Sequence, residues 1–301
     1  MRIGIDLGGT KIEIAALDPQ GQRCYGQRIA TPAGDYLATV GAIVELVQTA
    51  ESELGQASSI GVCIPGTLSP DHGRVKNANS TCLIGQPLDK DLQKRLKRPV
   101  RLANDADCFT LSEAIDGAGQ GAQSVFGVIL GTGVGGGIVH RQQLLSGPNR
   151  IAGEWSHNPL PWLSEQDQPA RHCYCGKHGC IETYLSGPGL SADHQQRHGE
   201  RLSVEQLVRQ AGAGNLQAQE SLGRYYDRLA RSLASVINLL DPDLIVLGGG
   251  LSNIEQLYNE IPARWGDYVF SDRVNTRLAA ALHGDASGVR GAAWLWPQPD
   301  Q

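Results

Sequence analysis

The sequence predicts an α/β fold built by duplication, with two lobes and a central cleft. Three observations carry that prediction. The pattern of apolar strand, glycine turn and apolar strand occurs twice, over residues 3–16 and 125–140. Strand-like and helix-like stretches alternate along the chain. A triple glycine, Gly248-Gly249-Gly250, follows a short apolar run, where ligands bind in open α/β sheets.

The elements follow in order. Residues 3–7 alternate, meet Gly8-Gly9-Thr10, and resume at Ile12, Ile14 and Ala16, which reads as a β-hairpin. Residues 35–54 read as a helix with Asp35 as N-cap and Leu37, Val40, Val44 and Val47 at helical spacing. Residues 59–64 form a buried strand ended by Pro65-Gly66. Residues 100–103 form another, followed by Asn104-Asp105 and a helix to about Asp116. Gly4 to Thr10 aligns with Gly127 to Gly133, and Asp6 then falls opposite Ile129, so only one copy carries an acid. Leu222, Tyr225, Leu229, Leu233, Val236 and Leu240 mark a long helix stopped by Asp241-Pro242. Residues 244–247 read as a buried strand, with helix resuming near Ile254. The stretch from Gly291 to Trp296 reads as a helix packed back on one lobe. The expected division is residues 1–118 plus 285–301 against 119–284.

Composition narrows the function. The chain has 301 residues, 41% hydrophobic and 19% charged, which fits a globular protein. Its net charge of −5 argues against a general nucleic-acid binder. No apolar run is long enough to cross a membrane. The opening residues enter a strand at once with no signal-peptide pattern, so a cytoplasmic protein with no membrane or nucleic-acid partner is expected. Its seven cysteines are then thiols or metal ligands. The 38 glycines are expected in turns where backbone approaches a ligand.

Phosphate groups need converging backbone N–H groups with no side chain in the way. Gly8, Gly9, Thr10 and Lys11 qualify, as do Gly131, Thr132 and Gly133. Asp6 beside the first loop suits Mg²⁺, which takes one or two carboxylates and keeps its waters. Either loop alone also reads as a tight turn. Gly248, Gly249 and Gly250 leave a bare backbone for a flat adenine, or serve close packing. Asn104 and Asp105 suit a polyol, and a carboxylate there can take a hydroxyl proton during phosphoryl transfer. From position alone, Asp105 also reads as a helix cap.

His157, Cys173, Cys175 and Cys180 form a Cys3His set, which fills the tetrahedron of a structural Zn²⁺. His172 and His178 are rival ligands. Such a metal would tie together the segments bearing Glu154 and Glu182 and orient both carboxylates.

Together these motifs resemble the ROK family of sugar kinases and sugar-responsive repressors, over nearly the whole chain. Asp6-x-Gly8-Gly9-Thr10, Leu102-Ala103-Asn104-Asp105-Ala106 and Gly131 to Gly137 are similar to its phosphate and base motifs. Gly153-Glu154 through Cys180-Ile181-Glu182 is similar to its zinc and sugar signature. The resemblance implies the actin-like, hexokinase-type (ribonuclease H-like) ATPase fold. It implies a homodimer using ATP and Mg²⁺, with Asp105 as general base. It also implies hexose contacts from Gly66, Asn79, Asn104, Glu154, His157 and Glu182. Ser156 stands where the family has Gly, and Asp107 where it has Asn. The nearest likeness is to bacterial manno(fructo)kinases, from Val75 to Thr81, His157 to Trp162 and His283 to Trp296, which implies fructose 6-phosphate as product. N-acetylglucosamine kinase or glucokinase is the alternative, and a non-catalytic sugar sensor a more distant one. A hairpin starting at Ile3 leaves no expectation of a helix-turn-helix ahead of it.

Overall fold

The computed structural model describes residues 1–78 and 80–296. Two five-stranded sheets organise it. The first holds β1 (Arg2–Leu7), β2 (Lys11–Leu17), β3 (Arg23–Ala30), β4 (Ser59–Ile64) and β7 (Val100–Asn104), in the order β3-β2-β1-β4-β7. A two-stranded hairpin, β5 (Thr67–Leu68) with β6 (Val75–Lys76), lies between β4 and β7 in the chain. The second sheet holds β8 (Ser124–Leu130), β9 (Val134–His140), β10 (Gln143–Leu144), β11 (Leu244–Gly248) and β12 (Arg277–Ala280), in the order β10-β9-β8-β11-β12. Each sheet thus opens with three sequential strands and adds two parallel ones. The duplication is real to the residue: Gly4 faces Gly61 where Gly127 faces Val246, and Asp6 faces Cys63 where Ile129 faces Gly248.

The chain folds as two compact units. The first comprises residues 1–121, 137–152 and the chain from Leu282 onward; the second comprises 122–136 and 153–281. The expected division at 118/119 and 284/285 is offset by three residues at each boundary and differs in one longer stretch, 137–152. Gly137 accounts for the difference: a Cβ there would meet the Ala106 carbonyl and Thr110, so this backbone lies directly on the helix that follows β7.

In the first unit, α1 (Tyr36–Leu54) is capped by Asp35, which accepts from Ala38 N at 2.9 Å, and closed by Gly55 at φ 66°. Its buried stripe is Val40, Ile43, Val44, Val47 and Ala50, in one core with Ile3, Ile5, Ile12, Ile14, Ile60 and Val62. Each such side chain contributes about 1.5–3 kcal/mol by leaving water. Leu37, expected on that stripe, faces solvent; Tyr36 takes the inward place and its hydroxyl donates to Asp91 at 2.6 Å. The unit also holds α2 (Leu88–Leu96) and α3 (Asp105–Asp116).

In the second unit, α4 (Glu182–Leu185), α5 (Gly187–His198), α6 (Val204–Gly212), α7 (Leu216–Leu240) and α8 (Leu257–Arg264) accompany the sheet. The last helix, α9 (Ser287–Trp294), returns to the first unit. It meets the first sheet and α3 backbone to backbone. A Cβ on Gly4 would fall on the Val289 carbonyl, one on Gly61 on the Ala292 carbonyl, and one on Gly291 on the Cys108 carbonyl. Several glycines therefore serve helix-on-sheet approach rather than a ligand. Among the described residues no helix is long and apolar enough to cross a membrane.

Candidate active site

Each unit brings together its own part of the expected machinery. In the first unit, β1 ends at Asp6–Leu7 and the chain turns tightly, Gly8 N donating to the Lys11 carbonyl at 3.0 Å. Thr31 pins this turn, its hydroxyl donating to the Gly8 carbonyl at 2.8 Å. Thr10 and Lys11 are exposed at its tip. Burial pushes the Asp6 carboxyl above its ordinary pKa; the Cys63 thiol offsets this in part, and the charge of Asp105 adds to it. Asp6 offers hard carboxylate oxygens beside the glycine turn, the donor type that fits Mg²⁺. Gly288 of α9 keeps space there, since a Cβ would stand 2.9 Å from Asp6 Oδ2.

Asn104 and Asp105 sit where β7 passes into α3. Asn104 is the helix cap: its Oδ1 accepts from Asp107 N at 2.6 Å. That settles the capping question left open by position. Asp105 is the first residue of the helix, its Oδ1 accepting from Ala106 N at 2.9 Å; the residue as a whole is exposed, but protein surrounds its carboxyl group. Burial of its carboxyl raises its pKa, against the two backbone N–H groups that lower it. A raised carboxylate pKa makes a stronger base. Gly66 has φ 111°, and a Cβ there would press on Lys76 O and Ala78. Asn79 lies outside the described residues.

In the second unit, Gly131 N donates to the Gly133 carbonyl at 2.9 Å, and Gly187 N donates to the Gly131 carbonyl at 2.9 Å. Thr132 and Gly133 are exposed. Gly249 has φ 81°, and a Cβ there would overlap the Leu130 backbone, while Gly250 faces open space. The triple glycine thus lies against the strand end that opens the second loop. Glu182 reaches the same loop, its Oε2 accepting from Val134 N at 3.0 Å. Sequence gave no signal for that bond, since the partners lie 48 positions apart.

Trp155 seats the segment that carries Glu154 and His157. Its indole donates to the Gly135 carbonyl at 3.2 Å and its ring meets Phe126 edge-on at 5.6 Å. The segment then pairs with the cysteine loop, Leu160 N to Gly179 O at 2.8 Å and Ile181 N to Asn158 O at 3.0 Å. The donor atoms of His157, Cys173, Cys175 and Cys180 all lie within 4.8 Å of one another. Cys173 Sγ stands 3.6 Å from His157 Nδ1, and Cys175 Sγ 3.6 Å from Cys180 Sγ. Tetrahedral Zn²⁺ with these ligands needs donor separations of about 3.6–3.8 Å. The residues fit zinc, and the nitrogen that faces the set is Nδ1. His172 and His178 instead meet edge to face at 5.2 Å; among the described residues neither belongs to the four-donor group.

Beneath this loop lies a buried ion network that sequence reading missed. Asp193 accepts from Arg171 at 2.8 Å, Arg228 at 2.7 Å and Arg224 at 2.9 Å. Asp167 accepts from Arg228 at 2.8 Å and Arg231 at 2.7 Å. Burial would push Asp167 up, but the Ser164 backbone N–H and the Arg231 and Arg228 guanidinium groups outweigh it and hold the pKa down at about 2. Arg171 also donates to the Thr183 and Gly189 carbonyls, both at 2.9 Å. It thereby fixes the turn that begins with Glu182. The one available signal was the i, i+4, i+7 spacing of Arg224, Arg228 and Arg231, which sets three arginines along one face of α7.

The chain matches known proteins over nearly its whole length. The family model described as "ROK family" matches residues 2–299. The chain is 42% identical to an N-acetyl-D-glucosamine kinase of Photobacterium profundum, over 98% of this chain and 99% of that one. It is similar to the crystal structure of a ROK hexokinase from Thermus thermophilus, with TM-score 0.87 and 29% identity, covering 98% of this chain and 97% of the other. A ROK family glucokinase from Streptomyces griseus, crystallised with glucose and AMPPNP, matches with TM-score 0.76 and 28% identity over 99% of each chain.

Proposed function

The chain belongs to the ROK family as a sugar kinase, and on that premise we propose that it phosphorylates N-acetyl-D-glucosamine with ATP at the primary 6-hydroxyl. The relative at 42% identity over nearly the full length carries the choice of sugar. It favours the alternative over fructose, which rested on three short stretches of likeness.

The chemistry rests on Asp105. Asn104 supplies the helix cap, so the neighbouring carboxylate is left for the substrate. It takes the proton of the sugar hydroxyl as the new O–P bond forms and the bond from the γ-phosphorus to the ADP oxygen breaks. Asn104 keeps its amide N–H groups to donate to a sugar hydroxyl. Glu154, His157 and Glu182 orient the sugar, with Gly66 and Asn79 carried over from the family resemblance as further sugar contacts. The loops at Gly8-Gly9-Thr10-Lys11 and Gly131-Thr132-Gly133 hold phosphates, and Gly248, Gly249 and Gly250 receive the adenine. Mg²⁺ bound near Asp6 would neutralise phosphate charge. Zn²⁺ on His157, Cys173, Cys175 and Cys180 would be structural, since four ligands leave no open position.

The test is ATP-dependent phosphorylation of N-acetylglucosamine, glucose, mannose and fructose by zinc-replete protein. N-acetylglucosamine should lead in kcat/KM. A lead for fructose would return the fructokinase reading, and no turnover on any hexose would favour a non-catalytic sugar sensor.

A further inference from the structure

A cavity of about 670 Å³ opens in the first unit beside β7, the last strand of its sheet. That volume lies within the range of about 300–1,000 Å³ usual for small-molecule sites. No described residue assigned above to ATP, the hexose or a metal lines it.

Its walls are mixed. Leu102, Leu144 and Leu295 give an apolar floor, while Asp89, Gln142, Gln143, Ser146 and Arg150 supply donors and acceptors. Asp89 Oδ1 is buried and, among the described residues, has no hydrogen-bond partner. Arg101, the other guanidinium of the lining, is already engaged. It donates to the Leu295 carbonyl at 2.6 Å and lies 4.2 Å over the Trp296 ring.

The chain holds two of the lining residues in strained backbone. His140 pairs with Gln143, so Arg141 and Gln142 form a two-residue turn, at φ 49° and 61°. Such a turn favours Asn-Gly, and here it carries two long side chains. Arg150 has φ 52°, again without being glycine. Strain of this kind gathers at ligand clamps, where the side chain is needed.

The charges of the lining select the ligand. Asp89 and Asp107 stand against Arg101 and Arg150, so the cavity is neutral on balance. An anion would meet two carboxylates, and a cation two guanidinium groups. A neutral polyol meets neither cost. Its hydroxyls donate to Asp89 and accept from Arg150 and the glutamine amides, and its C–H face rests on the leucines. We propose that this cavity is a second, non-catalytic site, for a neutral saccharide.

Calorimetric titration of the full chain with glucose, N-acetylglucosamine, maltose and cellobiose tests it, with Asp89→Ala, Arg150→Ala and Ser146→Trp alongside. At least one saccharide should show binding that Asp89→Ala and Arg150→Ala each weaken about 10–100-fold, as for a hydrogen bond to a charged group, while kcat and hexose KM stay within about twofold. Ser146 is exposed in a loop, so Ser146→Trp keeps the fold, and it should abolish that binding. Saccharide isotherms unchanged across all three variants, or no binding beyond the hexose that the enzyme turns over, would overturn the proposal. So would glucose 6-phosphate binding there more tightly than glucose, since the cavity would then be an anion site.

Discussion

Asp193→Asn isolates the buried ion network beneath the cysteine loop. The Asp193 side chain is 2% exposed and accepts from three guanidinium groups. The amide keeps the shape but removes the charge and turns an N–H toward a cation. Breaking a buried pair from one side costs about 3–5 kcal/mol, because the remaining charge is left uncompensated. Unfolding entropy near 2.1 cal/mol/K per residue gives about 0.6 kcal/mol/K for this chain. A loss of about 4 kcal/mol is then a Tm shift of about 6 °C if the chain melts as one, and about twice that if the second unit melts alone. Calorimetry reads both cases. The pH dependence gives a second handle. The guanidinium groups of Arg228 and Arg224, against the opposing cost of burial, hold the Asp193 carboxyl below its ordinary range. A depressed carboxylate stabilises the fold above its unfolded pKa, and that stability is lost as pH falls through the folded one. Wild-type Tm should therefore drop as pH falls below about 4, and the variant's more gently. Glu260→Gln, which breaks a half-exposed pair with Arg264, should cost under about 1 kcal/mol. An Asp193→Asn shift no larger than that control, with an unchanged acid profile, would refute the argument.

Other outcomes follow from the same geometry. Asp105→Asn should lower kcat by about 10²–10⁴-fold with hexose affinity within a few-fold, measured by turnover and calorimetric binding. Burial raises the Asp105 and Asp6 carboxyls, so the acid limb of wild-type kcat/KM should fall off above the ordinary aspartate value of about 3.9. Cys175→Ser should lower zinc content and Tm together, and raise hexose KM more than ATP KM, since the loop seats Glu154 and Glu182. Gly61→Ala should cost more than about 3 kcal/mol in denaturant titration, because its Cβ would fall on the Ala292 carbonyl.

What the chain disclosed beforehand was local. The paired hairpins, the Asp35 cap and the Cys3His spacing are each readable within a few residues, and each formed as its spacing implied. The edge strands were harder. β3 is polar and mostly exposed along its length, and β12 spans four half-exposed residues, so neither carries an apolar pattern. Their pairing is set by neighbours already in the sheet. The bond from Val134 to Glu182 and the arginine network depend on residues far apart in sequence. Such contacts come from tertiary packing rather than local pattern. Leu37 shows the reverse error, where helical spacing placed inward a first-turn residue that faces water.

The return of α9 to the first sheet has a consequence for biosynthesis. Gly4 and Gly61 leave the ribosome more than 200 residues ahead of Val289 and Ala292, on which they lie. At about 5–20 residues per second, the opening strands wait roughly 15–60 s for the helix that covers them. The segment from Gly153 to Ala281, by contrast, is contiguous, follows β8 and β9 in the chain, and holds β11, β12 and the ion network. It is available to fold while the nascent chain is still growing. The unit bearing Asp6 and Asp105 is therefore translated first and completed last, and in that interval its apolar strands are the natural client of a chaperone.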